Sequence, residues 1–328
     1  MHICSRIFYA HLSTPSPTSL VAAAELYYRE QLSQHEIAAR LGVSRSTVSR
    51  MLQLARDQGI VHIEIRRPAS EPAAARSPEQ LADALRSALS LRRVVVVPPA
   101  RRGGVQPLVA PALAEIAALG LRAGDALAVS WGRTVLELAR ARRWPPLPGV
   151  LLVPAIAGFE ERDARFQTND IARRVADASG ADVSLIHAPA VPSARLRRSL
   201  LADEGISRRL AVWDRLSAAL VGIGPPLAEA DTGPAHIMAA AGELRGAAGD
   251  VVSRYFDADG RPVPFAGEQR LLGVSREQLR SAGMVIAVAS GSAKGPSIVG
   301  AARAGLVDVL VTDETTAGAA LAAVGSRP

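Results

Sequence analysis

Residues whose side chains could do chemistry gather in two regions of this sequence. The first is "SRSTVSRMLQ", Ser44 to Gln53, where short hydroxyls and two arginines crowd the front of a helical pattern. Hydroxyls can bond phosphate oxygens or base edges, and arginine is a two-pronged donor to guanine or phosphate. In the second region, three stretches join apolar runs to glycine and polar side chains. "AVSWGRTVLELA" (128–139) ends an apolar run at Ser130 and places Gly132, Arg133 and Thr134 at a helix start. Backbone N–H groups there, with Arg133 and the Ser130 and Thr134 hydroxyls, suit an anion such as phosphate; the same residues also read as an ordinary strand-to-helix turn. "AVASGSAKGPSIVGAARAG" (287–305) repeats the arrangement around Lys294. Of 38 basic side chains this is the one lysine. An arginine-favouring genome explains the other 37, and a lysine retained against that bias points to its compact ammonium as a ligand rather than a solvated charge. In "AAGDVVSRYFDADGRPV" (247–263), "DADG" reads as a hairpin turn with Tyr255 and Phe256 in the core. Asp250 either accepts hydroxyl hydrogen bonds from a sugar or caps a turn.

Other chemistries find no support. No GxxxxGK[ST] and no strand-following GxGxxG occurs. The histidines are scattered and Cys4 stands alone, so neither a metal nor another cofactor is expected. His187, at the end of "SLIHAP", reads as a structural histidine, and His35 and His62 as surface side chains. No nucleophile is paired with a base. The second region is expected to bind rather than catalyse.

The elements that must position these residues are legible in outline. A first helix is expected from Leu20 to Gln31, with Val21, Ala24, Leu26 and Tyr28 as its apolar surface. Ser33 caps a second helix, Glu36 completes a capping box, and Ile37, Ala38 and Leu41 face inward. Gly42 supplies the turn. Ser44 caps the third helix, whose Val48, Met51, Leu52 and Ala55 follow the i, i+3, i+4, i+7 pattern and face inward. That leaves Arg45, Ser46, Ser49, Arg50 and Gln53 outside, as in a helix-turn-helix whose second helix enters the major groove. The expected DNA contacts are Ser33, Gln34, Ser44, Arg45, Ser46, Thr47, Ser49 and Arg50. Gly59 and the alternating "IVHIEI" read as a β-wing. The expected boundaries are a disordered leader at 1–19, a winged helix-turn-helix at 20–67, a linker at 68–78 and a larger domain at 79–328.

That larger domain carries seven apolar runs: 92–98, 125–131, 149–157, 181–189, 218–224, 284–290 and 307–313. Continuous Val/Ile/Leu runs between helical stretches predict a mostly parallel sheet covered on both faces, a Rossmann-like α/β fold. No apolar run nears the roughly 18–20 residues that span a bilayer. One cysteine fits a reducing compartment, so the cytoplasm is expected. Net charge is +7 with pI near 10.5, and up to Arg67 eight arginines face five acids. The first segment is therefore the more basic per residue and suits a polyanion. Aromatics are only 4% of the chain, too few for the stacking platforms of RNA-binding proteins.

The stretch "YYREQLSQHEIAARLGVSRSTVSRMLQLARDQGIVHIEI" resembles the winged helix-turn-helix of SorC/DeoR-type bacterial sugar-responsive regulators. "LVGIG", "GDVVSRYFDADGRPV" and "VIAVASGSAKGPSIVGAARAGLVDVLVTDETTA" resemble that family's effector domain, and the match runs from about residue 20 to 320. The resemblance implies a repressor or activator whose large domain is similar in fold to sugar-phosphate isomerases and deaminases, without their catalysis. The resemblance also implies that this domain binds a sugar or sugar phosphate that changes the protein's DNA affinity. In "SWGRT" it implies Gly132, Arg133 and Thr134 as phosphate-loop residues. It further implies Gln167 and Asn169 as a QxN pair, Asp250 as the acid of "GD" and Lys294 as the loop lysine. A homodimer or homotetramer reading a palindromic operator is expected. One departure stands out: many members have a Gly-Gly or Arg-Gly-Gly loop where this chain reads "AIAGFEERD". Phe159, Glu160 and Glu161 add negative charge there, so a monophosphate or neutral polyol is the expected effector. The rival reading is an isomerase or deaminase fused to a DNA-binding head; it needs a positioned base, and Asp250 is the sole candidate.

Overall fold

The computed structural model describes residues 17–28, 30, 32–57, 59–61, 76–100, 104–158, 167–226 and 242–325. The chain divides into two compact units, Met1–Pro72 and Ala73–Pro328.

Three helices are described in the first unit: α1 (Pro17–Tyr28), α2 (Gln34–Leu41) and α3 (Arg45–Asp57). α1 lies nearly a turn ahead of the expected Leu20 to Gln31, because Pro17 can open a helix: its φ is already helical and it lacks an N–H that would go unpaired. Leu20, Ala23, Ala24 and Leu26 are buried, whereas Val21, expected inside, is 40% exposed. Position 21 is turned about 100° from position 20, off the inward stripe. Ser33 Oγ accepts the Glu36 N–H at 3.3 Å while the Ser33 N–H donates to Glu36 Oε2 at 2.8 Å, a complete capping box. Gly42 closes α2 at φ +66°, donating its N–H to the Ala38 carbonyl. That left-handed conformation is open to glycine at little cost. Ser44 Oγ accepts the Thr47 N–H at 3.1 Å and starts α3. Val48, Met51, Leu52 and Ala55 are buried together with Ile37 and Ala38. Each of the larger side chains contributes about 1.5–3 kcal/mol of transfer free energy. The expected wing beyond Val61, the leader up to residue 16 and linker residues 68–75 lie outside the described residues.

The second unit opens with α4 (Pro78–Leu89), β1 (Arg93–Val97), α5 (Gln106–Ala118), β2 (Ala126–Val129), α6 (Arg133–Ala139) and β3 (Leu151–Pro154). It continues through α7 (Thr168–Ser179), β4 (Asp182–Val183), α8 (Ala194–Ala202), α9 (Glu204–Leu210) and β5 (Ala218–Gly222). A two-stranded ladder follows, β6 (Gly249–Val251) with β7 (Arg254–Phe256). The unit ends with α10 (Arg276–Ser281), β8 (Val285–Ala289), α11 (Gly295–Arg303), β9 (Val309–Asp313) and α12 (Glu314–Gly325). Each expected apolar run supplies one strand of a seven-stranded sheet in the order β1-β9-β8-β5-β2-β3-β4, every pair parallel. Alternate residues serve opposite faces. Leu127, Val129, Leu220 and Val288 pack under α5, α6 and α7, while Ala126, Ala128, Val221 and Leu310 pack under α4, α11 and α12.

The run 181–189 is the short one. Only Asp182–Val183 pairs with β3, and after Ser184 donates to the Leu152 carbonyl the chain leaves the edge toward Pro189, which has no N–H for a ladder. His187 is consequently exposed rather than structural.

From β2 the chain steps outward to β3 and β4, and from β5 it steps the other way to β8 and β9. The loops after β2 and β5 thus diverge and leave a crevice at the carboxyl ends of these neighbours, the general ligand position of open α/β sheets.

Candidate functional site

Three loops meet at that crevice. After β2, Ser130 is 2% exposed; its hydroxyl donates to the Trp131 carbonyl at 3.2 Å and accepts the Gly222 N–H at 3.4 Å. Ser130 therefore stitches the end of β2 to β5 and has no donor left for an anion. Next come Gly132, exposed Arg133 and Thr134, which is 7% exposed. The Arg133 side chain makes no hydrogen bond or ion pair with any described residue.

After β8, Ser290 and Gly291 lead into a single 3-10 turn, Ser292–Lys294, and directly on into α11. Lys294 is half-buried, and its ammonium has no hydrogen-bond partner among the described residues.

The third component arrives on β6. Gly224, just past β5, pairs with Asp250 and donates its N–H to the Asp250 carbonyl at 2.9 Å. A Cβ on Gly224 would lie 1.9 Å from Asp250 Oδ1, so the carboxylate can stand here only against glycine. Behind it, Val252 and Ser253 turn the chain from β6 to β7 with φ of +54° and +56°, both side chains buried. A β-branched residue in the left-handed region is strained, at a cost of order 1–3 kcal/mol. This turn aims the Ser253 N–H at Asp250 Oδ2, 2.8 Å away. The expected "DADG" turn is also present beyond β7, where Asp257 Oδ1 accepts the Asp259 and Arg261 N–H groups. Tyr255 and Phe256 are core residues.

Arg133, Asp250 and Lys294 share one electrostatic neighbourhood. Burial raises the Asp250 carboxyl from 3.8 to about 6, against the opposing effects of the Ser253 N–H and the Lys294 charge. Burial likewise lowers Lys294 to about 8; Asp250 works against that fall and Arg133 adds to it. Two basic side chains and one acid are thus held within electrostatic reach of one another.

The QxN pair divides. Gln167 is the N-cap of α7 but makes no side-chain cap bond. Asn169 Nδ2 donates to the Ile186 carbonyl at 3.0 Å and its Oδ1 accepts the Ile186 N–H at 3.1 Å. This amide braces the segment after β4 and keeps one N–H and one lone pair in reserve. Residues Phe159, Glu160 and Glu161 lie outside the described residues.

In the first unit, Arg45, Ser46, Ser49 and Arg50 are exposed on α3, and Thr47 is half-buried. Arg45 and Arg50 pair with no described residue, in contrast to Arg40 on Glu30 and Arg56 on Gln53. The Ser44 hydroxyl is shared with Ser46 Oγ and Thr47 Oγ1, each at 2.8 Å, so Ser44 and Thr47 work chiefly as a cap. Ser33 is likewise committed to Glu36. Gln34, Ser33 and Arg45 border a depression of about 550 Å³ with Tyr27 and His35.

Sequence reasoning passed over Gly224, Ser253, Asp313 and Thr316. All four sit in quoted motifs, but the partner of each either lies in a distant segment or depends on a rare backbone conformation.

A sugar-binding domain profile matches residues 75–322, and a MarR-family profile matches residues 15–85. The chain is 30% identical over 310 residues to the sorbitol operon regulator of Klebsiella pneumoniae, covering 91% of this chain and 96% of that one. It is also 30% identical over 307 residues to the deoxyribonucleoside regulator of Bacillus subtilis, covering 90% and 95% respectively. The crystal structure of full-length SorC, the sorbitol operon regulator from Klebsiella pneumoniae, matches with a TM-score of 0.68 at 29% identity, over 93% of this chain and 98% of that one.

Proposed function

This chain belongs to the SorC family of sugar-binding transcriptional regulators, and on that premise we propose that its crevice takes a sugar bearing one anionic group. It is a DNA-binding regulator, as its relatives are, and not an enzyme. The observation that supports the effector reading is the convergence of Arg133, Asp250 and Lys294 where the sheet topology opens a crevice. Arg133 and Lys294 attract the anion, with the N–H groups after Gly132 and the Thr134 hydroxyl beside it. Asp250 accepts hydroxyls of the sugar. Ser130 and Asn169 hold the surrounding turns, and Gln167 is the proposed contact at the start of α7. The acidic "GFEERD" sequence after β3 disfavours a second anionic group.

On DNA, Arg45, Ser46, Ser49 and Arg50 read the major groove, while Ser33, Gln34, Ser44 and Thr47 shape the approach and meet the backbone. A homodimer or homotetramer presents paired heads to a palindromic operator. Among the described residues no helix is long and apolar enough to cross a membrane, and the cytoplasm is the proposed site of action. The effector acts by binding the DNA-competent and DNA-incompetent arrangements with different affinity.

A thermal-shift screen of sugars and sugar phosphates tests this, since a ligand of the native state raises its melting point. Hits then go to operator-binding titrations. Lys294→Ala is expected to bind operator normally and to ignore the effector. A retained response removes Lys294 from the site, and tight calorimetric binding of a bisphosphate refutes the single-anion reading.

A further inference from the structure

The loop carrying Lys294 is anchored by a partly buried set of hydrogen bonds that ties it to the end of β9 and the start of α12. Asp313, the last residue of β9, is 6% exposed and precedes α12. Its Oδ1 accepts the Thr316 N–H at 2.9 Å, an ordinary helix cap. Its Oδ2 does something a cap does not require: it accepts two hydroxyls, Ser290 Oγ and Thr316 Oγ1, each at 2.8 Å. Thr316 Oγ1 in turn accepts the Gly291 N–H at 2.8 Å. At the other end of the loop, Gly295 rests on the backbone of α12, where a Cβ would come within 2.7 Å of the Ala319 carbonyl oxygen. Gly291 to Gly295 therefore runs along one turn of α12, pinned near Thr316 and again at Ala319 and Ala320. Thr316 and Ala320 are both fully buried. Asp313 makes no ion pair with a described residue, so its carboxylate is satisfied by neutral donors whose directions are fixed.

We infer that Asp313 and Thr316 are positioning residues for Lys294: through Ser290 and Gly291 they set where its ammonium stands beside Asp250 and Arg133. The consequence for anion binding rests on the effector reading above; the geometric statement does not.

The chain's single lysine makes the test direct, because isotope-labelled lysine gives one side-chain ammonium signal. That signal is followed against pH in the full-length protein, in Thr316→Val and in Thr316→Ser, with melting temperatures measured alongside. In the parent protein the midpoint is expected at about 8. Thr316→Val keeps the shape but loses Oγ1, and is expected to move the midpoint toward the ordinary lysine value by about one pH unit. It should also raise the inorganic phosphate concentration needed to perturb the signal by about tenfold. Thr316→Ser keeps the oxygen and should match the parent. If Thr316→Val melts early, Ser290→Ala takes its place; it removes one Oδ2 bond, leaves the α12 cap intact and should shift the midpoint the same way. An unmoved midpoint in a folded variant overturns the inference. A moved midpoint, with phosphate leaving the parent signal untouched, upholds the positioning role while refuting Lys294 as the anion ligand.

Discussion

Replacing Asp250 by asparagine separates what the buried carboxylate costs from what it is for. Its pKa rises from 3.8 to about 6, with burial the leading cause. A carboxyl raised in the folded state carries no penalty below its unfolded pKa and the whole penalty above its folded pKa. At pH 7 that penalty is about 3 kcal/mol. The attraction of Lys294 is already contained in that raised pKa, so Asp250→Asn should be more stable than the parent by roughly 2–3 kcal/mol at pH 7. The asparagine Oδ1 can still accept the Ser253 N–H, so the turn survives. For a unit of this size the gain corresponds to a rise in Tm of about 5–10 °C. Calorimetry of the full-length protein at pH 7 and pH 4 measures it. Near pH 4 the parent's folded carboxyl is protonated and most of the gap should close. The same substitution should weaken effector binding, because a neutral amide is the poorer acceptor for sugar hydroxyls. A lower Tm at pH 7, or a gap that persists at pH 4, refutes the reasoning.

Arg45→Ala and Arg50→Ala should each weaken operator binding by about 1–3 kcal/mol if they reach base edges, with Tm nearly unchanged. Fluorescence anisotropy at several salt concentrations also tells whether either contact is to phosphate, which would lower the salt slope by about one. Gly224→Ala drives a methyl onto Asp250 Oδ1 and should cost about 1–3 kcal/mol while abolishing the effector response; thermal melts and operator titrations read both. Affinity for an anionic effector should hold between about pH 6 and 8 and decline above about 8 as Lys294 loses its charge, a profile calorimetry resolves.

Much of this protein is written locally and could be read locally. Ser33 with Glu36, Gly42 and Ser44 specify helix ends within a few residues, and Val48, Met51, Leu52 and Ala55 specify the buried face of α3 by spacing alone. The inner strands β2, β3, β5, β8 and β9 were equally plain, because a strand covered on both faces must be apolar at nearly every position, whereas edge strand β4 is only the exposed pair Asp182–Val183. Arg133, Asp250 and Lys294 were identifiable as candidates by residue type and motif. Their convergence was not, since it depends on β5 lying between β2 and β8 and on Gly224 admitting Asp250. Nor could residue type alone show that the Ser130 hydroxyl is spent on Gly222, Asn169 on Ile186 and Thr316 on Gly291. Backbone preferences and hydrophobic period act over one or two turns of chain. Which donor meets which acceptor across distant segments is decided by packing, and in this protein packing determined which of the polar residues remain free to meet a ligand.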